Sequence, residues 1–248
     1  MIRRMLVCIL HGVFVLLLFG CSDNSTDTES AWEVSYSPGH FDTAGNFISG
    51  SEIMSLVAHK GCLYAAVGVW RGINVPVLFH KIGPQILVKE SADAPWKLDC
   101  RFERTDLRVE ALSSVTFTTD GMGNRLAEPV SLLIATVLDT QNSYGTASVF
   151  SRDDATGQWT RMNLFENMPS TFGIHPRAIG FHQDTVTGID AVYVGCQPGG
   201  IYRGVYDADA SGKIRWDAAP EFEGYEERVI SFGVCNNRLY ASIDPAIY

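Results

Sequence analysis

Three arginines, Arg108, Arg177 and Arg228, each open a short run of alternating large and small residues, and Glu52 opens a fourth run of the same kind. A guanidinium presents a planar fork of paired donors that matches a carboxylate or a sulfate. If the four runs lie side by side, their first residues converge, and the chemistry they can do is recognition of an anion. The competing arrangement is structural: each arginine bridges to a neighbouring carboxylate, with Glu110, Glu226 and Glu227 close in sequence. Catalysis at the same place needs a pair of carboxylates or a tyrosine, and Glu52 and Glu110 are the near candidates.

A second set of candidates lies on connecting segments. Residues 68–76 carry Trp70, residues 139–144 carry Tyr144 beside Gln141 and Asn142, and residues 197–200 begin with Gln197. Aromatic rings on loops suit stacking on a sugar, with the amides bonding its hydroxyls. For Trp70 the alternative is a lid folded back over the core. His40, His59, His80, His175 and His182 share no metal-ligand spacing and read as solvated or turn residues. No cofactor is expected. Calcium has slight support from Asp184, Asp190, Asp207 and Asp209 near turns, without an Asp-x-Asp-x-Asp-Gly loop.

The elements that must position these residues announce themselves by repetition. Trp-x5-Phe-Glu occurs at Trp96, Trp159 and Trp216. A period of about sixty residues predicts an all-β fold of β-propeller blades. The innermost strands are predicted at Glu52-Ile53-Met54-Ser55-Leu56, Arg108-Val109-Glu110-Ala111-Leu112, Arg177-Ala178-Ile179-Gly180-Phe181 and Arg228-Val229-Ile230-Ser231-Phe232. Their fourth position is always small, which lets crowded inner strands approach. Second strands follow at Leu63–Ala66, Leu133–Thr136, Val192–Gly195 and Leu239–Ser242. Third strands follow at Ile86–Lys89, Val149–Arg152 and Ile201–Gly204, and each tryptophan is expected to open a fourth. The blades then run from about 51 to 103, 108 to 166 and 177 to 223, with an incomplete one from 228. That is about three and a half blades of a ring expected to hold roughly six to eight. Trp32-Glu33-Val34 reads as an isolated outermost strand. Pro245-Ala246-Ile247-Tyr248 matches Pro198-Gly199-Gly200-Ile201-Tyr202, so the expectation is a longer ring of which this is the first part.

Residues 1–20 read as a signal peptide: Arg3 and Arg4, then an apolar run too short to span a bilayer, which takes about twenty residues. Residues 21–30 read as a disordered polar tether and residues 31–248 as the partial propeller. The formal net charge is −9 and no cluster of Lys and Arg stands out, so nucleic acid is not an expected partner. Past the signal peptide, Cys62, Cys100, Cys196 and Cys235 show no metal or CxxC spacing and read as small buried hydrophobes.

Leu18-Phe19-Gly20-Cys21 resembles the lipobox of bacterial lipoproteins, although Phe19 is bulkier than the usual residue there. The resemblance implies a lipid on Cys21 as the membrane partner. With Ser22 following, it implies an outer-membrane location in a Gram-negative cell. Ser151-Arg152-Asp153-Asp154-Ala155-Thr156-Gly157-Gln158-Trp159 resembles a degenerate Asp-box, a structural turn of sialidase-type propellers. The chain from Ser51 onward, with Glu52-Ile53-Met54 and Thr116-Phe117-Thr118-Thr119-Asp120-Gly121, resembles an uncharacterised group of bacterial propeller lipoproteins. The expected function is therefore binding of a glycan or an anionic small molecule at the channel mouth. The alternatives are a glycan-processing hydrolase or lyase of sialidase-like type, and a protein-interaction scaffold.

Overall fold

A computed structural model describes residues 33–69, 82–103, 106–139, 144–169, 173–222 and 228–244. The chain divides into two units, Met1–Ser37 and Pro38–Tyr248. Of the first, only residues 33–37 are described, and they carry no strand. Glu33 and Val34 therefore do not form the outer strand expected of them. Trp32, Cys21, the signal peptide, the tether and residues 245–248 lie outside the described residues.

The second unit is all-β. A short hairpin, β1 (His40–Phe41) and β2 (Phe47–Ile48), comes first. Its turn is held by Asp42, whose carboxylate accepts from the amides of Ala44 and Asn46 at 2.9 and 2.7 Å. Three antiparallel four-stranded meanders follow. The first is β3 (Glu52–His59), β4 (Cys62–Gly68), β5 (Gln85–Lys89) and β6 (Lys97–Arg101). The second is β7 (Asp106–Thr119), β8 (Arg125–Asp139), β9 (Tyr144–Asp153) and β10 (Gln158–Pro169). The third is β11 (His175–Gln183), β12 (Asp190–Gln197), β13 (Gly200–Tyr206) and β14 (Ile214–Trp216). A last hairpin pairs β15 (Arg228–Cys235) with β16 (Arg238–Asp244). The first two meanders belong to one eight-stranded sheet, joined where β4 pairs with β7 at Gly68 and Arg108.

All eleven predicted first, second and third strands lie within observed ones. The turns that make them pair are local. Lys60-Gly61 and Asn236-Asn237 both take two consecutive positive φ angles. That twist suits a two-residue hairpin between right-twisted strands, and Gly and Asn tolerate it best. Fourth strands follow the tryptophans less regularly. β6 starts just after Trp96, and β10 includes Trp159 from its second residue, but Trp216 ends β14 instead of opening it. Beyond Trp216 the chain meets Pro220, which has no N–H to donate to a ladder. Pairing with β13 resumes only as an isolated bridge between Phe222 and Ile201.

The meanders stack through three apolar layers. Tyr64, Ile86 and Phe102 of the first pack with Leu112, Leu133 and Ala135 of the second. Phe117, Ile134 and Val149 of the second pack with Val192, Tyr202 and Ile214 of the third. Ala178 and Ile201 of the third pack with Val229 of the last hairpin. The repeated motif feeds these layers. Trp159 meets Phe102 of the preceding copy edge to face, with ring centroids 6.4 Å apart. Trp216 and Phe165 likewise share the second layer. The third copy departs from this: Phe222 is 43% exposed, against 7% for Phe102. At one of the four aligned small positions, close approach of the next predicted first strand accounts for the missing side chain. A Cβ on Gly180 would lie 2.7 Å from the ring of Phe232 on the next inner strand.

Candidate functional site

The starts of the inner strands come together as the aligned runs require. Gly68 and Arg108 are paired partners in the ladder, and a Cβ on Gly68 would fall 2.3 Å from that of Arg108 and 3.4 Å from Glu52 Oε1. The absence of a side chain at 68 thus lets Arg108 sit against Glu52. Arg108 Nε donates to Glu110 Oε1 at 2.8 Å, and its Nη1 lies 3.5 Å from Glu52 Oε1. Arg108 and Glu110 are two apart on β7, hence on one face. Glu110 Oε1 also lies 3.4 Å from His175 Nδ1 on β11, and the same Nδ1 is 3.1 Å from Arg177 Nη2. Gln197 ends β12 directly opposite His175. Arg228 pairs with Asp244 across the last hairpin.

The charges of these groups act on one another. Burial would raise the pKa of Glu110, but hydrogen bonds from His175 and Arg108, with the charges of Arg108 and Arg177, outweigh it. The net shift is downward, so Glu110 is held ionised. Arg177 is shifted down, first by burial and then by the positive charges of Arg108 and Arg228, with Glu110 opposing. Three polar atoms here are buried and lack a hydrogen-bond partner among the described residues: Arg177 Nε, Arg228 Nε and Gln197 Oε1. An unpaired buried polar atom costs about 1–3 kcal/mol, so it needs an explanation. All three are covered by protein, so they record a cost of packing these sheets together and are not open contact points.

Of the sequence candidates, Glu52, Arg108, Arg177, Arg228 and Gln197 gather at this rim. The bridging alternative describes Arg108, held by Glu52 and Glu110, and Arg228, held by Asp244; it does not describe Arg177. Trp70, Glu226 and Glu227 lie outside the described residues. Tyr144 opens β9, and its side chain lies outside them too. His175 belongs to the cluster and is not a solvated turn residue. Its spacing of two from Arg177 on a predicted strand is the signal that would have placed it.

A second polar network lies where the far end of β3 meets the β9–β10 hairpin, and the sequence reading missed it. His59 is not a surface histidine: its side chain is 1% exposed. Its Nδ1 lies 2.8 Å from Ser114 Oγ and its Nε2 lies 3.0 Å from Asp154 Oδ2. Asp154 also pairs with Lys60 at 2.7 Å and Arg152 at 2.8 Å. Arg152 reaches both oxygens of Asp99 on β6, and Trp159 Nε1 donates to Asp99 Oδ2 at 2.7 Å. The guanidinium also stands 5.5 Å from the centre of the Tyr64 ring. The Ser-His-Asp order resembles a nucleophile relay, yet the Asp154 charge is shared with Lys60 and Arg152. What the arrangement does chemically is clamp the first meander to the second. The hairpin that carries Asp154 is the Asp-box-like segment, with Asp153 Oδ1 accepting from the Ala155 amide and Gly157 at φ +72°.

The aspartates weighed for calcium are engaged separately. Asp190 Oδ2 accepts from the Thr118 and Thr119 amides, and Asp184 Oδ1 from the Val186 and Thr187 amides. Asp207 Oδ1 accepts from the amide of Asp209. All four described cysteines are free thiols. Cys196 is buried as expected and burial pushes its pKa up, whereas Cys235 is exposed at the end of β15. Comparison of the chain with protein-family models, with curated proteins and with solved structures finds no match.

Proposed function

We infer that this chain is an exported, lipid-anchored β-propeller of about three and a half blades that binds an anionic small molecule or acidic glycan at the starts of its inner strands. The observation that carries the binding reading is the cluster of Arg108, Glu110, His175 and Arg177, in which Arg177 touches a histidine and pairs with no carboxylate among the described residues. Arg177 is only partly buried, and a guanidinium fork without a paired carboxylate suits an incoming anion. The propeller reading is supported by three successive four-stranded meanders, two of them joined in one eight-stranded sheet, that pack through apolar layers, with β11 and β15 close enough at Gly180 to exclude a side chain. Export and the anchor rest on the resemblance around Cys21.

Binding is favoured over catalysis because both candidate carboxylates are spent on Arg108. Glu110 is held ionised and so has no proton to offer as a general acid. Thermal-shift and calorimetric titration with a panel of organic acids and acidic glycans tests the reading. It predicts at least one binder in the panel whose affinity falls at least tenfold, by about 1.4 kcal/mol, in Arg177→Met. An unaltered affinity in that variant removes the site. Incorporation of labelled palmitate, lost in Cys21→Ser, tests the anchor.

A further inference from the structure

Independently of anion binding, we propose that the open face of the last hairpin is covered by the first meander of a second copy of this chain, in a head-to-tail contact that closes a pair. The ladders carry a recurring feature that points to this. Each inner strand has one extra residue near its start, at Met54, Glu110, Arg177 and Ile230. Directly after it, two small residues face each other across the ladder: Ser55 and Ala66, Ala111 and Thr136, Ala178 and Gly195, Ser231 and Ser242. The first three pairs receive the next sheet. Ala66 packs in one layer with Val109, Thr136 Oγ1 donates to the Pro176 carbonyl at 2.6 Å, and a Cβ on Gly195 would fall 2.4 Å from Val229. Val109, Pro176 and Val229 are equivalent, each being the last paired residue before the bulge of its own strand.

The fourth pair receives no sheet among the described residues, and Ser231 and Ser242 are exposed. Tyr240 lies two residues before Ser242, hence on its face of the strand. It is 53% exposed, against 4% for Tyr64, which stands in the same relation to Ala66. Ile230 is exposed as well, whereas its counterpart Met54 packs into the layer between the first two meanders. The first meander is open on the opposite face. Ile53 holds the place of Val109, Pro176 and Val229, and Leu56 that of Leu112. Leu56 is 56% exposed and Leu112 6%. The chain thus carries, on its two open faces, both halves of a contact it already makes at each internal junction. Charge agrees with this. At the first junction Glu52 lies 3.5 Å from Arg108 of the next sheet. The new junction sets Arg228 of one copy beside Glu52 of the other, opposite charges in the same two places. Two copies of about three and a half blades supply about seven, within the four to eight that close a propeller. A head-to-tail contact whose rotation closes leaves neither face open. The closure, though not the contact, rests on the propeller reading.

The test is sedimentation of the full chain at about 50 μM, above the weakest dissociation constants usual for specific interfaces of ordinary size. Cys21→Ser is carried throughout, so that no lipid draws copies together. The expected species is a dimer whose mass does not rise further with concentration. Leu56→Asp and Tyr240→Asp each put a charge on one of the two faces, and each should give a monomer. Mixing these two variants should restore dimers through one intact junction, because each supplies the face the other has lost. Met122→Asp, at an exposed apolar residue in the β7–β8 turn, should leave the dimer unchanged. Should either aspartate variant melt early, Leu56→Ser and Tyr240→Ser take their places in the same series. A monomeric unaltered chain overturns the pairing and leaves the propeller reading untouched. A dimer that survives Leu56→Asp, or a mixture that stays monomeric, overturns the head-to-tail geometry. Assemblies that grow with concentration overturn the closed pair, and the propeller arc with it.

Discussion

Arg152 and Arg177 are both partly buried arginines close to a neighbouring sheet, and they live in opposite circumstances. Arg152 reaches two carboxylates, with Asp99 8% exposed and Asp154 19% exposed, and stands over the ring of Tyr64. Burial alone would lower its pKa, but hydrogen bonds to Asp99 and Asp154 carry it upward. Arg177 has a histidine nitrogen at one Nη, an unpaired Nε and two like charges nearby, and its pKa is carried downward. The first arginine is part of a finished clamp. The second waits for something. The difference teaches that the same residue type, partly buried in both places, can be matched by carboxylates at one and left without one at the other, and only the second has donors to spare for the proposed anion.

The comparison can be broken by the same substitution at both places. Arg152→Met leaves Asp99 and Asp154 buried with fewer partners, and should lower stability by about 3 kcal/mol, read by urea unfolding. Arg177→Met removes an unpaired donor and a like charge from the neighbourhood of Arg108 and Arg228. It should raise stability by about 1 kcal/mol, in the same assay, while abolishing anion binding. Equal losses at the two positions would show that Arg177 is also a clamp. Trp159→Phe keeps the ring against Phe102 but deletes the Nε1 bond to Asp99. A loss of about 1 kcal/mol is expected, and no change would mean that Asp99 is satisfied by Arg152 alone.

The smallest effect is in the pH dependence. Burial would raise the pKa of Asp154, but hydrogen bonds from Lys60 and His59 and the Arg152 contact lower it overall. A carboxyl with a depressed folded-state pKa contributes stability above its unfolded value, about 3.9, and loses it as pH falls through the folded one. Stability should therefore decline below about pH 4 in the unaltered chain, and decline less steeply in Asp154→Asn. An identical acid slope in the variant would assign the acid sensitivity elsewhere.

How much of this could be read from residues alone varies with distance along the chain. Lys60-Gly61 and Asn236-Asn237 mark their hairpins because a two-residue turn depends only on the residues in it. The small residue at Gly180 was legible because the repeat supplies four aligned copies of one packing problem. Trp216 misled because Pro220 lies four residues beyond it and interrupts the strand that the other two copies continue. His59 was misjudged outright. Its partner Asp154 is 95 residues away, and nothing near His59 hints that a later hairpin will cover it. Phe19, Trp70 and the tether belong to readings that rest on pattern alone.

The sequence by itself determined the strand content, the hairpin turns, the periodicity and the alignment that puts Glu52, Arg108, Arg177 and Arg228 at equivalent positions. These are local or repeated properties, set by side-chain alternation and turn stereochemistry over a few residues. Only the tertiary structure decided which of the aligned residues are paired off and which are left wanting. That depends on whether a carboxylate from another sheet arrives within about 3 Å, and hydrogen bonding is too short-ranged for spacing in the chain to predict it. Arg108 found Glu52 and Glu110, Arg228 found Asp244, and Arg177 has no carboxylate partner among the described residues.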